Sequence, residues 1–351
     1  MSSWQDAFAQ QTRACRALGS VLTARVCDAL ARIIASDTGP VGQRVKSWPG
    51  DAGPGADSVP LRLCGALHAL TMTNRAPALT AAYAMAGGAQ LDLEIRSVIQ
   101  NNAPHFLEWL EYAPQTNEVG RSGPLIAVAW FLGARCPGVR FDLLELGGSD
   151  GLNLNFPHYS LANETGFQPS LAEGELSEVR LAPLWRGTPP EPAPLTFGTA
   201  RGVDLNPLDP ARDGFRLMAY TWPDQRDRLG RLRAALAVAG AHPPVMERDD
   251  AGAWLAARLA EPAPHGRRVD HTVAAQYFPE TTRALIETAL QEAGRHAGPD
   301  RPLAHFSMEG DGGEGAALRL RLWSGGPPRT WHLGRADFHG RWIEWQAQEE
   351  S

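Results

Sequence analysis

The residues from Phe141 to Asn153 combine an acid, a serine and three closely spaced glycines at the end of an apolar segment. Glu145 stands two positions before the first of these glycines, Gly147. Loops of this composition bring bare backbone N–H groups up to a ligand at the carboxyl end of a first β-strand. The same residues also fit Gly-x-Ser-x-Gly, with Ser149 in the place of a hydrolase nucleophile. The sequence therefore offers two interpretations, a nucleotide-binding loop and a nucleophile elbow.

Two further acids favour the nucleotide-binding interpretation. Asp204 closes the second predicted strand, where a carboxylate can accept both ribose hydroxyls of an adenosyl group. Asp249 follows the third predicted strand, where an acid can hold the adenine amine. The loop itself follows the methyltransferase pattern Glu/Asp-x-Gly-x-Gly-x-Gly, except that a serine replaces the middle glycine. We therefore expect S-adenosylmethionine as the cofactor, bound by Glu145, Gly147, Ser149, Gly151, Asp204 and Asp249.

Two competing site chemistries fit the sequence less well. In a serine hydrolase, several strands come before the nucleophile and a His-Gly-Gly-Gly segment precedes it, whereas the strand before Ser149 is the first predicted strand. Histidines follow at 271, 305, 332 and 339, but no spacing singles one out. An NAD-binding fold usually carries its acid about 20 residues after the glycines. Here more than 50 residues separate the glycines from Asp204.

Other polar clusters are candidates for contact with a substrate. The run Gln115–Arg121 has an equally good interpretation as the start of a helix, and Trp222 could instead be a core residue. The candidate substrate-binding residues are Gln115, Asn117, Glu118, Arg121 and Trp222. Gln276 and Tyr277, at the end of the fourth predicted strand, and His339, in a polar run near the end of the chain, are the candidate catalytic residues.

The elements that must position these residues divide into two parts. Apolar residues at helical spacing over 3–35, 61–73, 77–87 and 92–112 predict an all-helical N-terminal domain, residues 1–120. From residue 141, predicted strands at 141–146, 199–205, 244–248, 269–278 and 302–309 alternate with predicted helices at 211–220, 224–239, 250–260 and 280–295. Such alternation predicts a doubly wound parallel sheet.

Two features depart from a simple parallel sheet: the C-terminal end of the sheet and one long connection. Segments 317–323 and 330–336 flank Ser-Gly-Gly-Pro-Pro, which indicates an antiparallel hairpin. A parallel sheet closed by such a hairpin is the outline of class I methyltransferases, so residues 121–351 are predicted to form a Rossmann-like, methyltransferase-type α/β domain. Residues 154–198 are rich in proline and are expected to be an insertion with little helix, a lid or an edge ribbon.

Composition excludes several classes of protein. The net charge is −6 and no basic block occurs, so we expect no DNA partner. Lys46 is the only lysine and no phosphate loop precedes it, which argues against pyridoxal-phosphate chemistry. The four cysteines form no CxxC pair and are expected to be buried thiols. We find no metal-ligand spacing, signal segment or membrane span and expect a cytoplasmic protein; the oligomeric state is left open.

Taken in order, these runs resemble the uncharacterised bacterial family known as domain of unknown function 2332. The matching segments are Gln115–Arg121, Leu143–Leu154, Gly202–Asp209, Trp222–Gln225 and Ala336–Trp345. The resemblance implies a methyltransferase-like fold with a helical N-terminal part, and it implies no established reaction. The chain departs from the family pattern at Ala274–Pro279 and at Asn155–Tyr159, which would line the substrate side.

The sequence therefore predicts methyl transfer from S-adenosylmethionine to a small molecule. The reaction would consist mainly of aligning the methyl carbon with a nucleophile, with a base where the acceptor holds a proton. The alternative from another class is a non-catalytic binding or scaffold protein on the same fold.

Overall fold

The computed structural model describes residues 3–85, 88–115, 117–170, 176–193 and 195–350. The chain forms two compact units. Met1–Thr116 and Asp213–Gly230 make up the first, and Asn117–Arg212 and Arg231–Ser351 make up the second. The first unit is thus built from two separate stretches of chain.

The N-terminal part of the first unit is helical, as the sequence predicts. Its N-terminal stretch forms α1 (Trp4–Ala17), α2 (Val21–Ser36), α3 (Pro40–Lys46), α4 (Val59–Met72), α5 (Pro77–Ala84), α6 (Gly88–Asn101) and α7 (Ala103–Leu110). The hydroxyl of Ser3 accepts the N–H of Asp6 and so caps α1, while four of the other helices carry proline in the first turn. The end of the predicted helix 77–87, at residues 86 and 87, lies outside the described residues.

The second stretch of this unit completes its hydrophobic core. It contains most of α9 (Pro210–Tyr220) and the first turn of α10 (Arg226–Ala241). Tyr220 and Trp222 are buried among the core side chains of the unit. A Cβ on Gly65 of α4 would lie 2.6 Å from the Tyr220 ring, so close packing requires glycine at this position. The four cysteines of the chain are buried free thiols, as expected.

The second unit contains a mixed sheet of nine strands. Its members are β1 (Arg140–Leu146), β5 (Leu184–Arg186), β6 (Thr196–Asp204), β7 (Val245–Arg248), β8 (Gly266–Thr272), β9 (Leu303–Gly310), β10 (Ala316–Trp323), β11 (Arg329–Ala336) and β12 (Trp342–Glu350). They lie in the order β5-β12-β11-β10-β9-β8-β1-β6-β7. The segment β7-β6-β1-β8-β9 is parallel throughout. The fold is therefore mixed α/β with a large, mostly parallel sheet.

The strand order reverses next to β1. The chain goes from β1 to β6 and then to β7 on one side, and afterwards returns to the other side of β1 for β8 and β9. In open α/β sheets, ligands bind outside the carboxyl ends of the strands at such a reversal. Glu145 pairs in register with Asp270 of β8 and with Gly202 of β6, so the predicted loop begins at this point.

The C-terminal strands close the sheet on one side. The predicted hairpin is confirmed as β10 and β11, and β12 adds a third antiparallel strand that the sequence analysis did not assign. The predicted insertion contains a short 3₁₀ helix and three short strands that form a separate small sheet. These strands are β2 (Ser160–Asn163), β3 (Gly166–Pro169) and β4 (Arg180–Leu181). The next strand of this segment, β5, pairs with β12 at the edge of the large sheet. Residues 171–175 and 194 of the insertion lie outside the described residues.

The two faces of the large sheet differ in chemistry. One face packs against α11 (Ala251–Ala260) and α12 (Glu280–Arg295) through side chains that include Leu144, Leu146 and Val203. Because strand side chains alternate between faces, Glu145 and Asp204 point to the opposite face. That face also carries α8 (Ser122–Gly133), whose backbone accepts a hydrogen bond from Arg268. Within the described part of the chain, no helix is long and apolar enough to cross a membrane.

Candidate site at the carboxyl edge of the sheet

The glycine-containing loop after β1 makes a tight left-handed turn. The N–H groups of Gly147 and Gly148 both donate to the carbonyl of Val203 on β6, at 2.9 and 3.2 Å. Gly147 and Gly151 have φ of +70° and +71°, and Ser149 between them has φ of +56°. A non-glycine residue in this region costs about 1–2 kcal/mol. The serine that replaces the middle glycine is therefore held in a strained conformation.

The glycines of this loop face other protein atoms. A Cβ on Gly147 would lie 2.6 Å from the Cβ of Ala274, and a Cβ on Gly151 would lie 2.7 Å from that of Pro244. A Cβ on Gly148 would lie 2.9 Å from the Glu145 carboxylate. Close internal packing thus explains the glycine at all three positions.

Asp204 is tied to the loop rather than free at the strand end. Its Oδ2 accepts the N–H of Ser149 at 3.0 Å, and its Oδ1 accepts the N–H of Asn206 at 2.8 Å. A carboxylate has about four acceptor positions, so about two remain for a ligand hydroxyl. Asp249 is exposed and accepts the N–H of Asp250, which caps α11. Of the two acids, Asp204 is the one next to the glycines.

Three buried carboxyl groups lie around the loop. Burial, together with the negative charges of Asp270, Asp150 and Asp204, raises the pKa of Glu145 well above its usual value. Burial also raises the pKa of Asp150 to about 6 and that of Asp270. Arg268, itself fully buried, donates to Asp270 at 2.9 Å and so offsets part of this cost. Glu145 has no such ion pair among the described contacts, and its neutral form is favoured.

Several buried polar atoms of the loop lack hydrogen-bond partners. Among the described residues, Oε2 of Glu145, Oδ2 of Asp150 and Oγ of Ser149 are all buried and make no hydrogen bond. Buried polar atoms are nearly always paired, so three unpaired atoms within six residues call for an explanation. Two of them are carboxyl oxygens, which match a positively charged donor such as an ammonium group. The residues present therefore suit a ligand that carries a positively charged donor.

The backbone of Ser149 fits the nucleophile-elbow interpretation, but the surroundings of its hydroxyl do not. The positive φ of Ser149 matches the strained turn on which a hydrolase serine sits. Its Oγ, however, has no hydrogen-bond partner in the part of the chain that the structure describes, so no histidine lies ready to accept its proton.

The polar run before α8 packs against the loop. Asn117 donates to Asp150 at 2.5 Å and accepts a hydrogen bond from Asn153 at 2.8 Å. The Glu118 carboxylate accepts the N–H of Gly120 and lies 3.7 Å from Arg231. These residues support the loop from the side of α8.

Arg121 connects the strand ends on the other side. Its guanidinium donates to the carbonyl of Thr272, at the end of β8, and to that of Phe338, in the turn before β12. His339 lies in the same turn, where Asp337 accepts its N–H. The carbonyl of His339 would lie 2.3 Å from a Cβ on Gly120, so the two segments cross closely.

The turn after β8 carries two of the three candidate catalytic residues. The strand ends at Thr272, earlier than the predicted 278, because Val273 adopts φ of +56°. Gln276 and Tyr277 follow in a 3₁₀ turn, and both are exposed. The exposed fraction of Tyr277 is 75%, which is unusual for a large aromatic side chain. Both side chains therefore face solvent at this edge of the sheet.

Two candidate residues belong to the first unit. Trp222 is 8% exposed and lies in the helical core, which corresponds to the core role considered for it. Gln115 follows α7 in the same unit. The structure brings together the other candidates around the glycine loop and the neighbouring strand ends, except that Asp249 points to solvent.

A cleft lies beside the loop on the side of β7. It has a volume of about 360 Å³ and is lined by the segment after β6, by the end of α10 and by Met246 of β7. Met246 also contacts the positions that a Cβ on Gly148, Gly151 or Gly202 would occupy. Its flexible thioether side chain therefore separates the cleft from the glycine loop. Pockets for small ligands commonly have volumes of about 300–1,000 Å³.

A second polar group lies next to this edge, and sequence reasoning did not connect its members. His271, His305 and Glu309 lie on β8 and β9 and form one hydrogen-bonded chain. Only the polar pattern Arg-Arg-Val-Asp-His at 267–271, within a strand that should be apolar, signals that buried polar residues occur there. In the described ranges, no group of three or more histidine, cysteine, aspartate or glutamate side chains could hold a metal ion.

The fold and the site thus define an α/β protein with a buried acidic loop at the reversal point of its sheet. Residues 5–345 match the model of a family described as an uncharacterized protein conserved in bacteria (DUF2332). The chain belongs to this family. Comparison with curated proteins and with solved structures gave no match.

Proposed function

We propose that the second unit binds S-adenosylmethionine at the carboxyl edge of its sheet and transfers the methyl group to a small molecule. When bound, this cofactor supplies a methyl group on a positively charged sulfur. The observation that carries the proposal is the unpaired, buried Oε2 of Glu145, next to the glycine loop at the reversal point. A cationic ligand would turn this costly group into a favourable one.

The residues would divide the ligand between them. Glu145 and Asp150 would accept the ammonium group through the oxygens that have no partner in the described structure. Asp204 would use its remaining acceptor positions for the ribose hydroxyls. The cleft beside Met246 would take the nucleoside end, and movement of the methionine side chain would join the cleft to the loop.

The exposed turn after β8 would meet the acceptor molecule. Gln276 would orient it by hydrogen bonding, and Tyr277 would cover its apolar part. His339 would take up the proton where the acceptor releases one, because a histidine exchanges protons near neutral pH. The residues Asn117, Glu118 and Arg121 would keep the loop and the strand ends in place, as their contacts indicate.

One observation favours the non-catalytic alternative. The glycines meet Ala274, Pro244 and Glu145 rather than open space, and Asp204 already accepts two backbone N–H groups. A loop that serves internal packing alone would have the same contacts. In that case the protein would be a binding or scaffold member that has kept the fold without the cofactor.

Calorimetry with S-adenosylmethionine separates these functions. The wild type is expected to bind, and Glu145→Gln and Asp204→Asn are expected to weaken binding about tenfold or more, the scale of one lost charged hydrogen bond. Asp300→Asn, at an exposed position of the same unit, is the matched control and should bind as the wild type does. A wild type that shows no binding, or two variants with unchanged affinity, would contradict the proposal.

Proton release gives an independent readout. Because Glu145 favours its neutral form without a ligand, binding of an ammonium group should ionise it and release a proton. The binding enthalpy measured in buffers of different ionisation enthalpy should therefore reveal proton release in the wild type. Glu145→Gln should reduce it. Proton release of equal size in both proteins would argue against a role for Glu145.

A further inference from the structure

A continuous hydrogen-bonded chain runs from the surface to the turn after β8. On α12, Glu287 forms an ion pair with Arg321 of β10. Arg321 lies 3.1 Å from Nδ1 of His305, and Nε2 of His305 lies 3.1 Å from Nε2 of His271. Nδ1 of His271 in turn lies 2.7 Å from Oε1 of Glu309. Both histidines are buried.

The arrangement fixes the direction of every hydrogen bond in this chain. Arginine can only donate, so Nδ1 of His305 accepts, and the neutral ring then carries its proton on Nε2. That N–H donates to Nε2 of His271, whose proton must consequently lie on Nδ1 and donate to Glu309. A second proton on either ring would bring two N–H groups face to face. The chain is therefore consistent only with two neutral histidines.

The inner end of the chain holds a strained turn. Oε1 of Glu309 also accepts the N–H groups of Ala274 and Ala275, at 3.0 and 3.1 Å. These residues directly follow Val273, whose φ of +56° is unfavourable for a β-branched side chain. Strained backbone persists only where the surroundings determine it. Here the Glu309 carboxylate holds the strained turn in place through these hydrogen bonds.

The same turn also contacts the glycine loop. The Cβ of Ala274 would lie 2.6 Å, and the ring of Phe278 3.5 Å, from a Cβ on Gly147. A shift of the turn would therefore change the space available to the loop. The histidine chain thus acts, through packed atoms, on both segments that the proposed function uses.

We propose that Glu309, His271 and His305 are positioning residues, which hold Gln276, Tyr277 and the glycine loop in the geometry that methyl transfer needs. The contribution of these residues to methyl transfer rests on the proposed function, whereas their ordering of the turn after β8 does not. None of the three residues needs to contact the ligand to have this positioning role.

The chain should loosen at acidic pH. Burial, followed by the neighbouring His271 and Arg321, holds the pKa of His305 well below its usual value of 6.5. The charged groups that face the two rings are Glu309, Arg321 and, through Arg321, Glu287. Because the folded state favours neutral His305, its contribution is complete above about pH 6.5 and is lost as the pH falls through the lower, folded-state pKa.

Hydrogen exchange measured by mass spectrometry tests the ordering of the turn. The variant Glu309→Ala should lower the protection of the Ala274 and Ala275 amides about tenfold or more, while β1 and the interior of α12 keep theirs. Glu309→Gln keeps an acceptor oxygen and should restore part of the protection. His296→Gln, at an exposed histidine of the same unit, should leave exchange unchanged. Unchanged protection in Glu309→Ala, or an equal loss in all elements, would overturn the proposal.

Two further measurements complete the test. In ¹⁵N-histidine spectra, His271 should be the Nδ1–H tautomer and His305 the Nε2–H tautomer at pH 7.5; the opposite tautomers would refute the chain. After correction for the intrinsic exchange rate, protection of the turn should fall as the pH is lowered below about 6.5 in the wild type, and less in His305→Phe. Equal falls would also refute it. Calorimetry with S-adenosylmethionine on the same proteins separates the two proposals, because a wild type without binding contradicts the proposed function and leaves the exchange result standing.

Discussion

The substitution Gly147→Ala probes the contact between the glycine loop and the turn after β8. Two costs are expected. Alanine at φ of +70° incurs about 1–2 kcal/mol of left-handed strain, offset by about 0.4–1 kcal/mol from the smaller entropy of the unfolded chain. The new methyl group would also lie 2.6 Å from the Cβ of Ala274, and overpacking of this kind costs about 1–3 kcal/mol. Gly147→Ala should therefore destabilise the protein by about 1–5 kcal/mol.

Gly138→Ala is the matched control. Gly138 has φ of +77° and lies in the same unit, but a Cβ there would meet nothing within 4 Å. The control should therefore show only the strain component, about 1 kcal/mol. Urea unfolding followed by fluorescence measures both variants, with a check that the dependence on urea concentration is unchanged.

A double-mutant cycle isolates the contact itself. Ala274→Gly removes the methyl group that Gly147→Ala would meet, so the double variant should recover about 1–3 kcal/mol relative to the sum of the single changes. Equal destabilisation by Gly147→Ala and Gly138→Ala, or a cycle without coupling, would show that the loop and the turn do not press on each other. The coupling on which the positioning proposal depends would then be absent.

Three further outcomes concern the acids of the second unit. Glu145→Gln should become more stable relative to the wild type as the pH rises. A carboxyl group whose pKa is raised by folding stabilises the folded state below its unfolded-state pKa, and this contribution is lost as the pH rises through the folded-state pKa. Unfolding free energies measured from pH 4 to 8 test this. Arg268→Met should cost about 3–5 kcal/mol in urea unfolding, since Asp270 would lose its buried partner. A smaller loss would mean that Asp270 is already protonated. Asp250→Ala should lower the melting temperature by removing about 1 kcal/mol of helix capping, together with the bond from Thr282. It should leave the affinity for S-adenosylmethionine unchanged, and a loss of affinity would give Asp250 a ligand role.

The sequence predicts the parallel strands well because they are apolar runs bounded by loop residues. The predicted strands 141–146, 244–248 and 302–309 correspond to β1, β7 and β9 within one or two residues. The fourth prediction, 269–278, is wrong at both ends. The strand begins at Gly266, before the two charged residues Arg267 and Arg268, and the left-handed Val273 ends it early. The left-handed conformation of Val273 leaves no local signal in the sequence.

The site shows the same limit. Glu145 and the glycines could be found because their signal lies within one short run of sequence. The partners of His271 could not, because Glu309 is 38 residues away and His305 is 34 residues away. Spacing along the chain carries no information about neighbours in adjacent strands until the strand register is known. Asp150 was missed for another reason, since an aspartate in a glycine-rich turn usually serves the turn itself.

The first unit is made from two stretches that lie far apart in the chain. Its N-terminal stretch, Met1–Thr116, cannot complete its core until Asp213–Gly230 has been synthesised. Until then the ring of Trp109 lacks Tyr220, which lies 5.3 Å away in the finished unit. During synthesis of β1 and β6, the N-terminal helices should therefore remain incompletely packed, with apolar surface exposed to chaperones. A fragment that ends before residue 213 should aggregate for the same reason.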